Sequence, residues 1–260
     1  MNLELEGKIA LITGGSHGIG LATALALAAE GCNIVICSRD PDRLDSAVDE
    51  ITTRGVACVG VPTDVMKPKD NENCFSAAIE RFGRLDILIN NVGGGGRWGS
   101  EIVEDTELTV WREVIEKNVM AAVQYTQLAI PAMRKNKWGR VVTVGSRLGK
   151  EGGGRPWFTL SKAAEIGLMK TLAMTHYLVR DGITFNTVTP GAIMIPDTGW
   201  ASLLKSDPES IAKTIDKDLP LNRFGTPEEV ASVIVFLCSE KASLVNGATI
   251  AVDGGESSSF

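Results

Sequence analysis

The feature that most constrains this chain is the run Thr13-Gly14-Gly15-Ser16-His17-Gly18-Ile19-Gly20, which follows an apolar, β-branched segment and opens a helical pattern. Glycines at a strand-to-helix turn let the backbone come close to a pyrophosphate, and the helix N-terminus adds N–H donors and a favourable dipole. A glycine cluster alone also reads as a plain turn. Its place after the first strand, with the spacing TGxxxGxG, points instead to a dinucleotide site built from Gly14, Ser16, His17, Gly18, Ile19 and Gly20.

The rest of the chain continues the alternation that such a turn begins. Short β-branched runs at 8–13, 33–38, 56–60, 86–90, 140–145, 183–188 and 248–252 alternate with helical patterns at 18–30, 41–53, 67–82, 107–133, 157–180 and 227–238. This predicts an α/β fold, a doubly wound parallel sheet of Rossmann type with about seven strands. At 260 residues, with 44% hydrophobic and 22% charged residues, the chain suits one large globular domain spanning 1–260. Residues 190–220 interrupt the alternation where a substrate-covering lid would sit, and the glycine runs 93–96 and 152–154 mark its most flexible stretches.

A net charge of −6 and no dense Lys/Arg stripe argue against a nucleic-acid partner. The five cysteines are scattered without a CxxC pair, and only two histidines accompany them, so no metal site and a reducing compartment are expected. The N-terminus lacks the basic start and apolar core of a signal peptide, and the apolar stretch 21–29 is too short to span a bilayer. The expected location is the cytoplasm, with no membrane partner.

Further motifs follow the glycine turn in order. They are Asp64-Val65 in TDV, Asn90-Asn91-Val92-Gly93, Asn118 in KNV, Ser146 after the fifth strand, Phe158 and Lys162 in PWFTLSKAAE, Pro190-Gly191, and Val252-Asp253-Gly254-Gly255. With this series the chain resembles the short-chain dehydrogenase/reductase family over nearly its whole length. The resemblance implies that Asp64 and Val65 contact adenine, that Asn91 and Gly93 belong to the family's NNAG-like motif, and that Pro190-Gly191 precede Ile193, whose backbone binds the nicotinamide carboxamide. It also implies a homo-oligomer, a tetramer in most relatives that end in VDGG.

In the family's mechanism hydride passes between the nicotinamide and a carbonyl carbon while a proton reaches the oxygen. The resemblance makes Ser146 the hydrogen-bond donor to that oxygen, Lys162 the group that holds the nicotinamide ribose, and Asn118 the anchor of a relay water. The fourth member in the family is a tyrosine that acts as general acid or base, and here its position holds Phe158. Residues 158 and 162 share one face of a helix, so the ring is presented where a phenol would be, without its hydroxyl. Three accounts stay open: Phe158 was introduced deliberately, the proton travels through Lys162, Ser146 or water, or turnover is lost and the protein only binds dinucleotide. Tyr125, Tyr177 and His176 lie within long helices and read as packing or interface residues. Lys162 is the best placed of the remaining groups, because burial makes an ammonium a readier proton donor.

Cofactor choice is read at the end of the second strand, where an acidic residue would pair with a ribose 2′-hydroxyl. Ser38 and Arg39 stand there instead, and arginine offers a planar fork suited to phosphate. In the family the loop position of His17 is often basic in NADP-preferring members. NADP(H) is therefore the expected cofactor, with NAD(H) possible if Arg39 is only a solvated charge beside Asp40. Around the expected substrate mouth lie Arg97, Trp98, Arg147, Arg155 and Trp157. They suggest an anionic or sugar-like small molecule, unless they are loop charges in water offset by Glu101 and Glu151. The implied activity is interconversion of a ketone and a secondary alcohol. A 3-oxoacyl thioester reductase is the nearest alternative, and a catalytically silent NADP-binding protein is the rival of another class.

Overall fold

The computed structural model describes residues 1–259. Seven parallel strands, β1 (Ile9–Thr13), β2 (Asn33–Ser38), β3 (Cys58–Pro62), β4 (Ile87–Asn90), β5 (Gly139–Val144), β6 (Ile183–Pro190) and β7 (Thr249–Val252), form one sheet in the order β3-β2-β1-β4-β5-β6-β7. β1, β4, β5 and β6 are buried along their whole length, as parallel strands covered on both faces must be. The strand order reverses between β1 and β4, and a crevice opens there beyond their carboxyl ends.

Two helical layers close the faces. On one side α1 (Gly18–Ala29), α2 (Pro41–Thr52) and α10 (Pro227–Cys238) pack Ala24, Leu27, Leu44, Ile51, Val230 and Ile234 against Ile12, Ile34, Ile36 and Ile89. On the other, α3 (Pro68–Phe82), α5 (Ala121–Asn136) and α6 (Pro156–Ala173) cover Leu11, Val35, Leu88, Val141 and Phe185. A smaller cluster of Ala192, Ile211, Leu219 and Phe224 lies between β6 and α10 in the chain. No helix among the described residues is long and apolar enough to cross a membrane.

Several sequence expectations change in detail. The third strand starts at Cys58, two residues later than its β-branched pattern suggests. The long helix expected over 107–133 is three pieces, α4 (Leu108–Ile115), a π-helical turn (Glu116–Met120) and α5. The cause is Asn118, wholly buried, whose Nδ2 donates to the carbonyl of Val114 at 2.7 Å and so competes with the helix's own ladder. The helix expected over 157–180 ends at Ala173 and is followed by the short α7 (His176–Val179), because Asn246 Nδ2 takes the Ala173 carbonyl at 2.9 Å. The segment 190–220 contains α8 (Gly199–Ser206) and α9 (Pro208–Asp218). The proline of α9 sits at its first turn, where its missing N–H costs nothing.

α10 buttresses α1, which carries the glycine turn, and it starts with a capping box in which Thr226 and Glu229 satisfy each other's backbone N–H groups. Thr226→Ala is expected to lower unfolding free energy by about 1 kcal/mol in a urea titration while leaving dinucleotide affinity unchanged.

Candidate active site

The crevice at the strand-order reversal is a cleft of about 850 Å³. Nine of the sixteen sequence-predicted cofactor residues line it: Gly14, Ser16, His17, Ser38, Arg39, Asp64, Val65, Asn91 and Gly93. Gly18, Ile19 and Gly20 form the first turn of α1 behind it, where His17 makes no side-chain cap and leaves the leading N–H groups free for a ligand. A side chain at Gly20 would collide with the carbonyl oxygen of Gly14, so the turn requires glycine there. The cleft therefore suits a dinucleotide.

At the adenosine end Arg39 is exposed and makes no ion pair or hydrogen bond through its guanidinium among the described residues. Asp40 does not neutralise it. The Asp40 carboxylate caps α2 through Arg43 N at 3.2 Å and pairs with the Arg43 guanidinium at 3.4 Å. Arg43 was not anticipated from sequence; it lines the cleft and reaches Asp197 at 3.3 Å. His17 Nε2 donates to the Pro196 carbonyl at 2.7 Å, so two contacts tether 196–197 to the adenosine side. At the other end, Ile193 forms a bridge with Gly225 through the Ala192 carbonyl and the Met194 N–H. Ile193's own N–H and C=O are thereby left without a protein partner among the described residues, while its side chain is in the core.

A second pocket of about 290 Å³ adjoins this end, lined by Ser146, Phe158, Pro190, Gly191, Arg97 and Trp200 among others. Ser146 Oγ accepts from Leu148 N at 3.2 Å, starting a short 3₁₀ turn (Arg147–Gly149) and keeping its own hydrogen free to donate. Phe158 and Lys162 lie one turn apart on α6, with Lys162 Nζ 5.8 Å from the ring centre. Lys162 Nζ and Asn118 Oδ1 each lie 2.9 Å from where a Cβ on Gly93 would be, so glycine keeps that space open. Asn118 also holds Gly94 by both backbone groups, at 3.1 Å and 2.9 Å.

Lys162 is 4% exposed and pairs with a residue that the sequence reading passed over, Glu165, itself 1% exposed, at 3.0 and 3.2 Å. Lys162 also donates to the Val144 carbonyl at 3.1 Å. The available signal was the acidic residue one turn along in KAAE. Burial pushes the Glu165 carboxyl up from 4.5 to about 7, outweighing the opposite pull of Lys162.

The expected substrate mouth is rearranged. Trp157 does not reach it: the side chain is wholly buried, packed edge-on against Trp111 at 5.4 Å, with its indole N–H toward the Gly95 carbonyl. Arg155 donates to the carbonyls of Arg97, Trp98 and Gly99 at 2.6–2.9 Å, so it clamps a loop. Arg147 is taken up by Glu151 at 2.6 Å and Glu256 at 2.7 Å. Trp98 faces the larger cleft, beneath Lys117. Of the five, Arg97 is the cation left at the smaller pocket, stacked over Trp200 of α8 at 5.2 Å.

A cleft suited to a dinucleotide, beside a pocket that holds a serine hydroxyl, with a buried lysine behind Gly93 that lines neither cavity, defines a class of oxidoreductase scaffold. A family profile described as "Enoyl-(Acyl carrier protein) reductase" matches residues 14–257. The 3-oxoacyl-[acyl-carrier-protein] reductase FabG of Aquifex aeolicus is 34% identical over 257 residues, covering 98% of this chain and 99% of the relative. Human dehydrogenase/reductase SDR family member 4 is 35% identical over 253 residues, covering 96% and 88%. Among solved structures, L-sorbose reductase from Gluconobacter frateurii, complexed with NADPH and L-sorbose, superposes with a TM-score of 0.91 at 34% identity and covers 100% of both chains. A 7α-hydroxysteroid dehydrogenase complexed with NADH gives 0.87 at 32% identity, covering 98% and 96%. The chain belongs to the short-chain dehydrogenase/reductase family of oxidoreductases.

The raised Glu165 carboxyl gives a signed expectation. Between about pH 4.5 and pH 7 the folded chain holds a proton at Glu165 that the unfolded chain has released, so this residue's contribution to stability falls as pH rises through that window. The melting temperature of Glu165→Gln relative to the native protein should therefore climb from pH 4.5 to 7 and level off above. A difference that is flat with pH in calorimetry would place the carboxyl in its ordinary range.

Proposed function

We propose that the protein is an NADP(H)-dependent oxidoreductase that interconverts a small, polyhydroxylated ketone and its secondary alcohol. The observation that carries the cofactor choice is the unpaired Arg39 guanidinium at the rim of the cleft, beside Ser38 and with Asp40 already engaged by Arg43. The NADPH in the L-sorbose reductase complex is consistent with it. The substrate class rests on the smaller pocket, of about 290 Å³, where Ser146 and Arg97 stand among the apolar walls of Leu148, Phe158 and Trp200 and where the cations Arg147 and Arg155 are already occupied. That occupancy weighs against a strongly anionic substrate. The FabG relatives favour a second reading, reduction of a 3-oxoacyl thioester, in which only the keto group and its short flank enter the pocket.

The bound dinucleotide would supply or accept the hydride at the carbonyl carbon. Gly14, Ser16 and the first turn of α1 would hold its pyrophosphate, Asp64 and Val65 its adenine, Asn91 and Lys162 the nicotinamide half, and the free backbone groups of Ile193 the carboxamide. Ser146 would donate to the substrate oxygen. Phe158 stands where a general acid is expected and contributes only its ring. In the reducing direction the oxygen gains the C=O π pair and takes a proton from Lys162 Nζ, directly or through water held beside Asn118. The Nζ–H bond breaks, and solvent later restores the proton.

Two outcomes test this reading. Arg39→Ala removes one charge-assisted phosphate contact, about 1.5 to 3 kcal/mol, so NADPH affinity should fall about ten- to a hundredfold with NADH little changed. Equal losses for both in fluorescence titrations would remove Arg39 from phosphate recognition. Phe158→Tyr adds a positioned acid, typically worth about 10²- to 10⁴-fold in rate, and should speed reduction of L-sorbose or acetoacetyl-CoA by an amount in that range. A rate unchanged or lower means that the native site has its own complete proton route. Inertness of both forms, with NADPH still bound, would favour a silent dinucleotide-binding protein.

A further inference from the structure

The Lys162–Glu165 pair calls for an explanation that packing does not supply. A lysine and a glutamate this inaccessible lose several kcal/mol of hydration apiece when charged, and apolar residues at both positions would fill the same space at no such cost. Among the described residues the Glu165 carboxylate makes no hydrogen bond other than its two to Lys162, so it serves one partner. Lys162 in turn has one carbonyl, Val144, and one carboxylate, and its Nζ borders the gap at Gly93 between Asn118 and the Phe158 ring. Lys162 is the charged group that faces Glu165, and Lys117 on the π-helical turn is near enough for a weak repulsion between the two ammonium groups.

We propose that Glu165 is the positioning residue for Lys162, anchoring and charge-balancing its ammonium in a site whose neighbouring aromatic ring offers no hydroxyl. The inference rests on the reading of Phe158 as the unfilled general-acid position. With a phenol at 158, an ammonium beside it has a polar neighbour and is useful as an uncompensated positive charge. With phenylalanine there, Nζ has only the ring face on that side, and Glu165 is the anion among the described residues that pairs with it. When Lys162 gives up a proton to the substrate oxygen, the N–H bond breaks and the O–H bond forms. Glu165, hydrogen-bonded to the remaining amine, keeps Nζ in place until a proton from solvent restores it. Glu165 acts only through Lys162 Nζ, to which both its carboxylate oxygens are hydrogen-bonded.

The two positions should therefore be coupled, and a cycle of Glu165→Leu, Phe158→Tyr and the double variant measures it, with Glu165→Gln as the conservative variant. In the native background Glu165→Leu should lower kcat with L-sorbose or acetoacetyl-CoA at least tenfold with KM nearly unchanged, and Glu165→Gln should recover part of the loss by keeping an acceptor on Nζ. In the Phe158→Tyr background the same leucine substitution should cost less than threefold. The cycle read as NADPH dissociation constants by fluorescence titration needs no turnover, and should show the same background dependence because Lys162 holds the nicotinamide half. Coupling in binding with all forms inert toward both probes would uphold the role of Glu165 and defeat the reductase reading. Equal losses in both backgrounds, or none in either, would overturn the positioning role.

Discussion

Thr13 and Asn91, at the carboxyl ends of β1 and β4, exchange the hydrogen bonds on which the rest of the site is mounted. Thr13 Oγ1 accepts from the N–H groups of Asn91 and Val92 at 3.0 and 3.1 Å, and Asn91 Nδ2 donates to the carbonyls of Thr13 at 2.9 Å and Gly14 at 3.2 Å. Two strands whose chains diverge in opposite directions are thus pinned where their paths separate. The glycine turn lies on one side of the pin and the 91–96 loop on the other, so the cleft has a floor that does not depend on a ligand to form. Asn118 extends the same construction one layer outward by holding Gly94, and the π-helical turn is the local price of bringing it there.

The site then sorts its charges by depth. At the surface Arg39 remains without a partner, and Arg43 and Asp197 face each other across the cleft in an exposed pair of small energetic weight. In the interior the single lysine is matched by the single glutamate. Between these extremes, at the wall of the smaller pocket, Arg147 is matched by Glu151 and Glu256 while Arg97 keeps its charge.

Much of the architecture was legible because parallel sheets impose short-range rules. β-branched runs, a glycine-marked first turn and prolines at helix starts each act over a few residues, and the seven-stranded sheet followed from them. Residues that line the cleft were legible for the same reason, since Ser16, Asp64 and Asn91 occupy fixed offsets from strand ends. What stayed hidden depends on distant partners. Arg155 looked like a substrate cation, but its three carbonyl acceptors lie more than fifty residues upstream. Arg147 was read without Glu256, and Trp157 without Trp111. The break at 116–120 was illegible because every residue there tolerates a helix; only the tertiary demand on Asn118 disrupts it. Glu165 is the exception, a local pair visible in KAAE whose meaning required knowing that both members are buried.

The Arg155 clamp has a consequence for how this enzyme scaffold can change. Because one guanidinium at the start of α6 grips the backbone of 97–99, the loop that presents Arg97 is tied to the helix that presents Phe158 and Lys162. Variation in the loop, the ordinary route to a new specificity, is transmitted to Phe158 and Lys162 through that grip. Selectivity and turnover are in that sense inherited together, and a lineage exploring new substrates would first have to loosen residue 155.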